Sequence, residues 1–309
     1  MFLNILFIII GVTLVLVGAD RLTEGASAIA RRFGVPEIVI GLTIVACGTS
    51  MPEFFVSLMS ALNGTPDMAV GNVVGSNIMN AMLIVGCAAV VAPMVISPST
   101  VKKDIPFSVA ASALLIVLGI DTAIGRWDGA VLLVGFAIFM AYTLWQTKGT
   151  KEEQPVESKP QNPWLSILWI ILGLAGLVFG SNLFVDSASS VAAELGVSQS
   201  VIGLTIVAGG TSLPELATSV VAARKGQSAI AIGNVIGSNV FNILLILGAT
   251  AVISPLQMEG ITLLDMGVMM GSIALVWLFS FTRYTVERWE GVALIAGYGG
   301  YLGWLLSNV

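Results

Sequence analysis

The chain contains no histidine, and only 10% of its 309 residues are charged. The first absence excludes histidine-based catalysis and histidine metal sites. The second excludes an ordinary soluble domain, which needs about a quarter of its residues charged to keep its surface wet. The 13 lysines and arginines are too few and too scattered for a nucleic-acid surface. There are only two cysteines, Cys47 and Cys87, and both fall inside apolar sequence. They read as buried thiols and not as a disulfide framework. Met1 to Gly18 has no basic n-region and no small-residue cleavage site. It reads as a first transmembrane helix, not a removed signal peptide.

What is present is apolar sequence, 56% of the chain. Many runs approach the roughly 20 residues that span a bilayer. The expected fold class is an all-α polytopic membrane protein with ten transmembrane helices. Their centres fall near residues 12, 50, 80, 112, 136, 172, 212, 242, 272 and 298. The first and sixth are expected to be long, because Gly18–Arg32 and Gly180–Leu195 continue with helical composition. With the N-terminus outside, inward loops hold 11 of the 13 basic residues, so both termini are expected outside and the central loop in the cytoplasm. That loop carries charges and the prolines Pro155, Pro160 and Pro163, and reads as a flexible connector. The expected division is residues 1–146, a linker at 147–163, and residues 164–309.

A block of 53 residues occurs twice without a gap. Gly34–Gly86 and Gly196–Gly248 are related by an offset of 196 − 34 = 162 residues, and 29 of the 53 positions are identical. Internal duplication in a membrane chain often marks a transporter with its site between the halves. The offset covers five spans, an odd number, so the second copy must enter the membrane the other way up. The expectation is two inverted five-helix repeats.

Each copy contains G-L-T-I-V-A-x-G-T-S-x-P-E, ending at Glu53 and Glu215. A carboxylate at mid-membrane costs about 2.5 to 3.5 kcal/mol on insertion scales and usually faces a cavity or a partner. Pro52 and Pro214 cannot donate to Gly48 and Gly210, and glycines at 41, 48, 203, 209 and 210 weaken the helix further. The motif predicts broken helices at the core, where carbonyls and the hydroxyls of Thr49, Ser50, Thr211 and Ser212 converge beside a carboxylate. Such hard oxygen ligands suit Na⁺ or Ca²⁺. A plain proline kink would explain the proline but not the neighbouring Gly-Thr-Ser and Glu.

Each copy ends in G-N-V-x-G-S-N-x-x-N. Ser76 and Asn80 are four apart and share a helix face, as do Ser238 and Asn242. These four are expected to line the site. Gly71, Gly75, Gly233 and Gly237 are expected only to let helices approach closely. A fainter match aligns Glu24 with Asp186, which read as solvated charges near helix ends.

At these motifs the chain resembles the cation/calcium exchanger superfamily, specifically prokaryotic sodium/calcium exchanger-like proteins. The two signatures match that family's two alpha repeats in order and spacing, and the resemblance covers essentially the full chain. It implies exchange of Ca²⁺ for Na⁺ by alternating access in the cell (inner) membrane, with no cofactor. It implies Glu53 and Glu215 as central ligands, surrounded by Thr49, Ser50, Thr211 and Ser212, with backbone carbonyls from Ala46 and Ala208. It makes Ser76 and Ser238 part of outer Na⁺ sites, has Asn80 and Asn242 line the centre, and makes the long first and sixth helices a sliding gate. Asn242 stands where potassium-dependent exchangers have Asp, which disfavours K⁺ co-transport. Ten spans can enclose the site alone, so a monomer is expected to function.

Charge counting agrees with this. Two carboxylates balance one Ca²⁺, and several Na⁺ could use the same oxygens only in its absence. A proton/calcium exchanger remains an alternative, since each carboxylate can take a proton. A passive cation channel fits the tight, twofold motif poorly. An intramembrane enzyme fits worse, because Ser50 and Ser212 have no His or Lys base nearby.

Overall fold

A computed structural model describes residues 1–146, 163–196, 206, 208–258, 260–281 and 283–307. Residues 147–162 of the expected 147–163 linker, and Gly203 of the second motif, lie outside the described residues.

The protein is a helical polytopic membrane protein. Helix α1 (Phe2–Phe33) and helix α7 (Pro163–Glu194) are each 32 residues long. At 1.5 Å per residue that is about 48 Å, well beyond a hydrocarbon core of about 30 Å. Between them lie α2 (Glu37–Thr49), α3 (Met51–Leu62), α4 (Pro66–Val91), α5 (residues 100–118) and α6 (Arg126–Gln146). After α7 come α8 (Ala208–Thr211), α9 (Leu213–Arg224), α10 (Ser228–Ile253), α11 (Leu263–Phe281) and α12 (Arg288–Ser307). Among the described residues, six helices are long and apolar enough to cross a membrane, or seven if the bent pair α2–α3 is one span.

The turns repeat with the duplication. Gly34 and Gly196 adopt positive φ, and so do Gly64 and Gly226, each pair 162 residues apart. Gly34 ends α1 in the left-handed region, where its amide meets the carbonyls of Ala30 and Arg31.

Helices α1 and α7 run antiparallel. A Cβ added at Gly11 would lie 2.8 Å from the Gly180 carbonyl, at Gly18 2.7 Å from that of Gly173, and at Gly25 2.6 Å from that of Ser166. The numbers rise along one helix and fall along the other. Backbone meets backbone along this seam, which only glycine allows. Gly233 and Gly237 make similar approaches, to Gly41 and to Leu42 and Ala46. Gly75 has nothing within 4 Å among the described residues, and Gly71 touches only Ile261. Close approach therefore holds for the second pair of motif glycines, while the residues that the 162-residue offset would bring to Gly71 and Gly75, around 200–205, lie outside the described residues.

Four two-residue strands in the connectors accompany the helices. Strand β1 (Met94–Val95) pairs antiparallel with β4 (Thr285–Val286), and β2 (Ala123–Ile124) with β3 (Leu256–Gln257). These two-residue ladders satisfy backbone groups in connectors that helices leave open. The 162-residue offset carries β1 onto β3 and β2 onto β4, so each ladder joins a connector of one half to a connector of the other.

Burial grades outward from the centre. The spanning windows of α4 and α10 are 78% buried, against 22% for α1, α6 and α7. The outer helices turn large apolar side chains such as Phe2, Ile9, Trp127 and Phe179 outward, as a lipid-facing surface requires. The two central helices carry the second motif of each repeat.

Candidate functional site

The first motif bends the chain at a serine. Helix α2 contains a π-helical turn over Gly41–Val45, closed by the Ala46 amide on the Gly41 carbonyl. Ser50 then leaves the helical region (φ −82°, ψ 5°), and α3 departs at 46° to α2. Ser212 has nearly the same backbone (φ −89°, ψ 6°) between α8 and α9. Pro52 and Pro214 fall in the first turn of the new helix. A missing amide hydrogen costs little there. The prolines therefore start helices instead of kinking them. Glu53 and Glu215 sit in the same first turns, where the helix dipole favours negative charge by about 0.3 to 1 kcal/mol.

Ser50-x-x-Glu53 and Ser212-x-x-Glu215 have the form of a capping box, but neither serine caps its own helix. Each hydroxyl crosses to the other repeat. Ser50 Oγ donates to Glu215 Oε1 at 3.0 Å, and Ser212 Oγ donates to Glu53 Oε1 at 3.0 Å. Ser238 Oγ also reaches Glu215 Oε1, at 3.4 Å, and Ser212 Oγ lies 3.2 Å from Ser76 Oγ. Both carboxylates are at most 1% exposed.

The opposite oxygens are different. Among the described residues, Glu53 Oε2, Glu215 Oε2, Asn80 Oδ1 and Asn242 Oδ1 are all buried without a hydrogen-bond partner. These four acceptors form two pairs related by the 162-residue offset. An unpaired buried acceptor, and above all a buried carboxylate, is costly unless something positive meets it. The donor chemistry is all hard oxygen, which fits Na⁺ and Ca²⁺. Among the described residues no group of three or more His, Cys, Asp or Glu side chains gathers, so neutral oxygens must complete any cation shell beside the two carboxylates.

Thr49 and Thr211 also interact with the opposite carboxylates, of Glu215 and Glu53, and the remaining candidates are placed less directly. Thr49 Oγ1 donates to Asn234 Oδ1 at 3.1 Å. The Ala46 carbonyl already accepts the Ser50 amide at 3.0 Å and Thr49 Oγ1 at 3.4 Å. It is not an idle ligand as it stands. Thr211 and Ala208 belong to the short helix α8, and the Ala208 side chain lies outside the described residues. Glu24 pairs with Arg21 at 3.0 Å, and Asp186 is exposed. Both lie apart from the site, as solvated charges would.

Six residues that sequence reasoning passed over belong to the same cluster. Asn72 donates to the Glu53 carbonyl at 3.2 Å and to Ser57 Oγ at 2.9 Å. Asn234 repeats this with the Glu215 carbonyl at 3.4 Å and Ser219 Oγ at 3.0 Å. Asn77 and Asn239 reach across the halves to Asn242 and Asn80. All four asparagines stand in the second motif, and both serines are identical in the two copies. Their identity across the duplication was the signal that could have found them. Asn80 opens a π-helical turn over Asn80–Ile84 and Asn242 lies within one over Phe241–Leu247. Such turns frequently mark functional sites.

A family model described as sodium/calcium exchanger protein matches residues 3–145 and 165–307. The putative antiporter CaxA of Alkalimonas amylolytica is 38% identical over 98% of both chains. The sodium/calcium exchanger MaX1 of Methanosarcina acetivorans is 32% identical over 97% of both. The inner membrane protein YrbG of Escherichia coli is 33% identical over 99% of this chain and 96% of its own. Solved structures of the sodium-calcium exchanger NCX_Mj superpose with a TM-score of 0.87 for crystals soaked without Na⁺ and Ca²⁺, at 33% identity over 98% of this chain and 99% of that one.

Proposed function

The chain belongs to the sodium/calcium exchanger family, and from that premise we propose that it is a secondary antiporter that exchanges Na⁺ for Ca²⁺ by alternating access. The observation that carries this reading is the set of four buried acceptor oxygens without donors, on Glu53, Glu215, Asn80 and Asn242. Two carboxylates neutralise one Ca²⁺. Na⁺ ions can use the same oxygens, but not beside Ca²⁺, because the added charge would be uncompensated in a low dielectric. Mutual exclusion is what an exchanger needs. Either load lets the protein change state, and an empty site of charge −2 does not.

Glu53 and Glu215 are the central ligands in this scheme, and Thr49, Ser50, Thr211 and Ser212 surround them. Ser76 and Ser238 serve outer Na⁺ positions, Asn80 and Asn242 line the centre, and Ala46 and Ala208 contribute backbone carbonyls. Asn242 in place of an acid disfavours K⁺ co-transport. Protons compete poorly as the counter-ion, because the hydroxyl and amide oxygens serve Na⁺ and have no role in proton exchange.

The architecture that fits is ten spans in two inverted halves, residues 1–146 and 164–309, joined by a linker at 147–163. The antiparallel α1–α7 pair and the exchange of β1–β4 for β2–β3 under the offset support inversion. With both termini outside, 11 of the 13 basic residues face the cytoplasm. The central loop is then cytoplasmic, in a protein of the cell's inner membrane that works as a monomer.

The test is ⁴⁵Ca²⁺ uptake into proteoliposomes loaded with Na⁺, with K⁺, or with acid. Uptake that requires internal Na⁺ supports exchange with Na⁺. Uptake from acid-loaded vesicles alone would keep the two glutamates and replace the counter-ion with H⁺.

A further inference from the structure

Four asparagines meet where α4 and α10 cross, and their amides pair between the halves. Asn80 Nδ2 donates to Asn239 Oδ1 at 3.1 Å, and Asn242 Nδ2 donates to Asn77 Oδ1 at 3.1 Å. Asn77 Nδ2 in turn points to the Asn239 carbonyl at 3.4 Å and to Met269 Sδ at 3.7 Å. All four are at most 3% exposed.

A primary amide has one accepting edge and one donating edge of almost the same shape. Rotation by half a turn exchanges them with little steric change. Beside a cation the two orientations are not equivalent, because one offers a lone pair and the other offers hydrogens. Asn80 and Asn242 both spend an N–H on the partner across the interface, and both leave the oxygen buried and unpartnered. The accepting oxygens of Asn77 and Asn239 decide which edge faces inward.

We propose that Asn77 and Asn239 are positioning residues, each holding the ion-facing amide of the opposite half with its oxygen toward the cation. The proposal rests on the reading of Asn80 and Asn242 as ion ligands. It pairs residues in a way the helices alone would not suggest. Asn77 and Asn80 are three apart on one helix, and so are Asn239 and Asn242, yet the functional pairs are Asn77 with Asn242 and Asn239 with Asn80.

The experiment measures the Ca²⁺ concentration for half-maximal ⁴⁵Ca²⁺ uptake into Na⁺-loaded proteoliposomes, together with the maximal rate and the melting temperature. The variants are the four single Asn→Ala substitutions and the four cross-helix and same-helix doubles. Outer-shell partners of metal ligands typically contribute about 10- to 100-fold in affinity. Asn77→Ala and Asn239→Ala are each expected to raise the half-maximal concentration in that range while changing the maximal rate much less. The doubles Asn77→Ala with Asn242→Ala, and Asn239→Ala with Asn80→Ala, are expected to be hardly worse than their single ligand variants. The same-helix doubles should multiply, since unshared partners act additively. Asn77→Asp keeps the accepting oxygen for Asn242 and is expected not to weaken Ca²⁺ affinity. It also keeps the test open if Asn77→Ala does not fold.

A lower melting temperature and maximal rate with unchanged half-maximal Ca²⁺ would make these residues structural and overturn the proposal. So would an Asn77→Asp variant as weak as Asn77→Ala, or multiplicative cross-helix doubles. If Asn80→Ala and Asn242→Ala themselves leave Ca²⁺ affinity unchanged, the ligand assignment fails first and the inference falls with it.

Discussion

Glu53→Gln is the substitution that bears most directly on the site. The side chain keeps its size, and its carbonyl oxygen can still accept from Ser212 Oγ, now 3.0 Å from Glu53 Oε1. The other position changes completely. Glu53 Oε2 is a buried acceptor without a donor, and the amide puts two hydrogens there. The variant therefore removes one charge and turns the remaining edge from acceptor to donor. A unit charge pair about 4 Å apart is worth about 4 kcal/mol at an effective dielectric of 20, so a divalent ion gains about 8 kcal/mol gross from one carboxylate. Dehydration of both partners offsets part of this. Removing one partner of a buried charge pair costs about 3 to 5 kcal/mol net. At 1.4 kcal/mol per decade, that predicts a loss of roughly two to three and a half decades in apparent Ca²⁺ affinity.

The assay is ⁴⁵Ca²⁺ uptake into Na⁺-loaded proteoliposomes across a wide Ca²⁺ range, with ⁴⁵Ca²⁺ binding to the purified protein as a check that does not need turnover. Glu215→Gln should match, because Ser50 and the unpaired Oε2 repeat the arrangement. The double variant should show no uptake at any accessible concentration. A Glu53→Gln variant within tenfold of the unaltered protein would refute the charge argument and the site together.

Other substitutions probe the surroundings. Ser50→Ala and Ser212→Ala each remove a 3.0 Å hydrogen bond to the opposite carboxylate. Bonds to charged groups contribute about 1.5 to 3 kcal/mol, so both should weaken apparent Ca²⁺ affinity by about tenfold or more. Equal losses from the two are expected, and a neutral result for either would contradict the twofold reading. Gly18→Val puts a Cβ 2.7 Å from the Gly173 carbonyl and 2.8 Å from the Leu177 amide, backbone that cannot yield. Overpacking of this kind costs about 1 to 3 kcal/mol and should lower both the melting temperature and the uptake rate. Gly267→Ala, with nothing within 4 Å among the described residues, should do neither. With Cys47 and Cys87 replaced, a cysteine at Asn63 should react with an impermeant thiol reagent from outside the cell, and one at Arg224 only from within. The reverse pattern would invert the proposed orientation.

What the sequence carries about this fold follows the range of each interaction. Local features are legible. The duplicated block is one, and the positive-φ glycines Gly34, Gly64, Gly196 and Gly226 follow its 162-residue offset in the structure. The prolines mark where α3 and α9 begin, and the long apolar runs of α1 and α7 continue to 32 residues. The two short ladders are not legible, because Met94 finds its partner at Val286. Nor is the direction of a hydroxyl. Ser50 stands three residues before Glu53, yet it serves Glu215, 165 residues away. The same holds for the asparagines, where Asn77 faces Asn242 and not its neighbour Asn80.

These crossed partners share one consequence. Each carboxylate takes a hydrogen bond on Oε1 from a serine of the other half, and each inward amide is oriented by an asparagine of the other half. Neither copy of the motif can therefore build half of the site alone. Any shift of one half against the other loosens both carboxylates and both amides at once. The two copies have nearly the same residues at these positions, so the arrangement is the same whichever half is taken as fixed. A cation held there is thus tied to the relative position of the halves, and its presence or absence can bias how they sit. In a protein of this shape that coupling is what would make ion occupancy and conformational change one event.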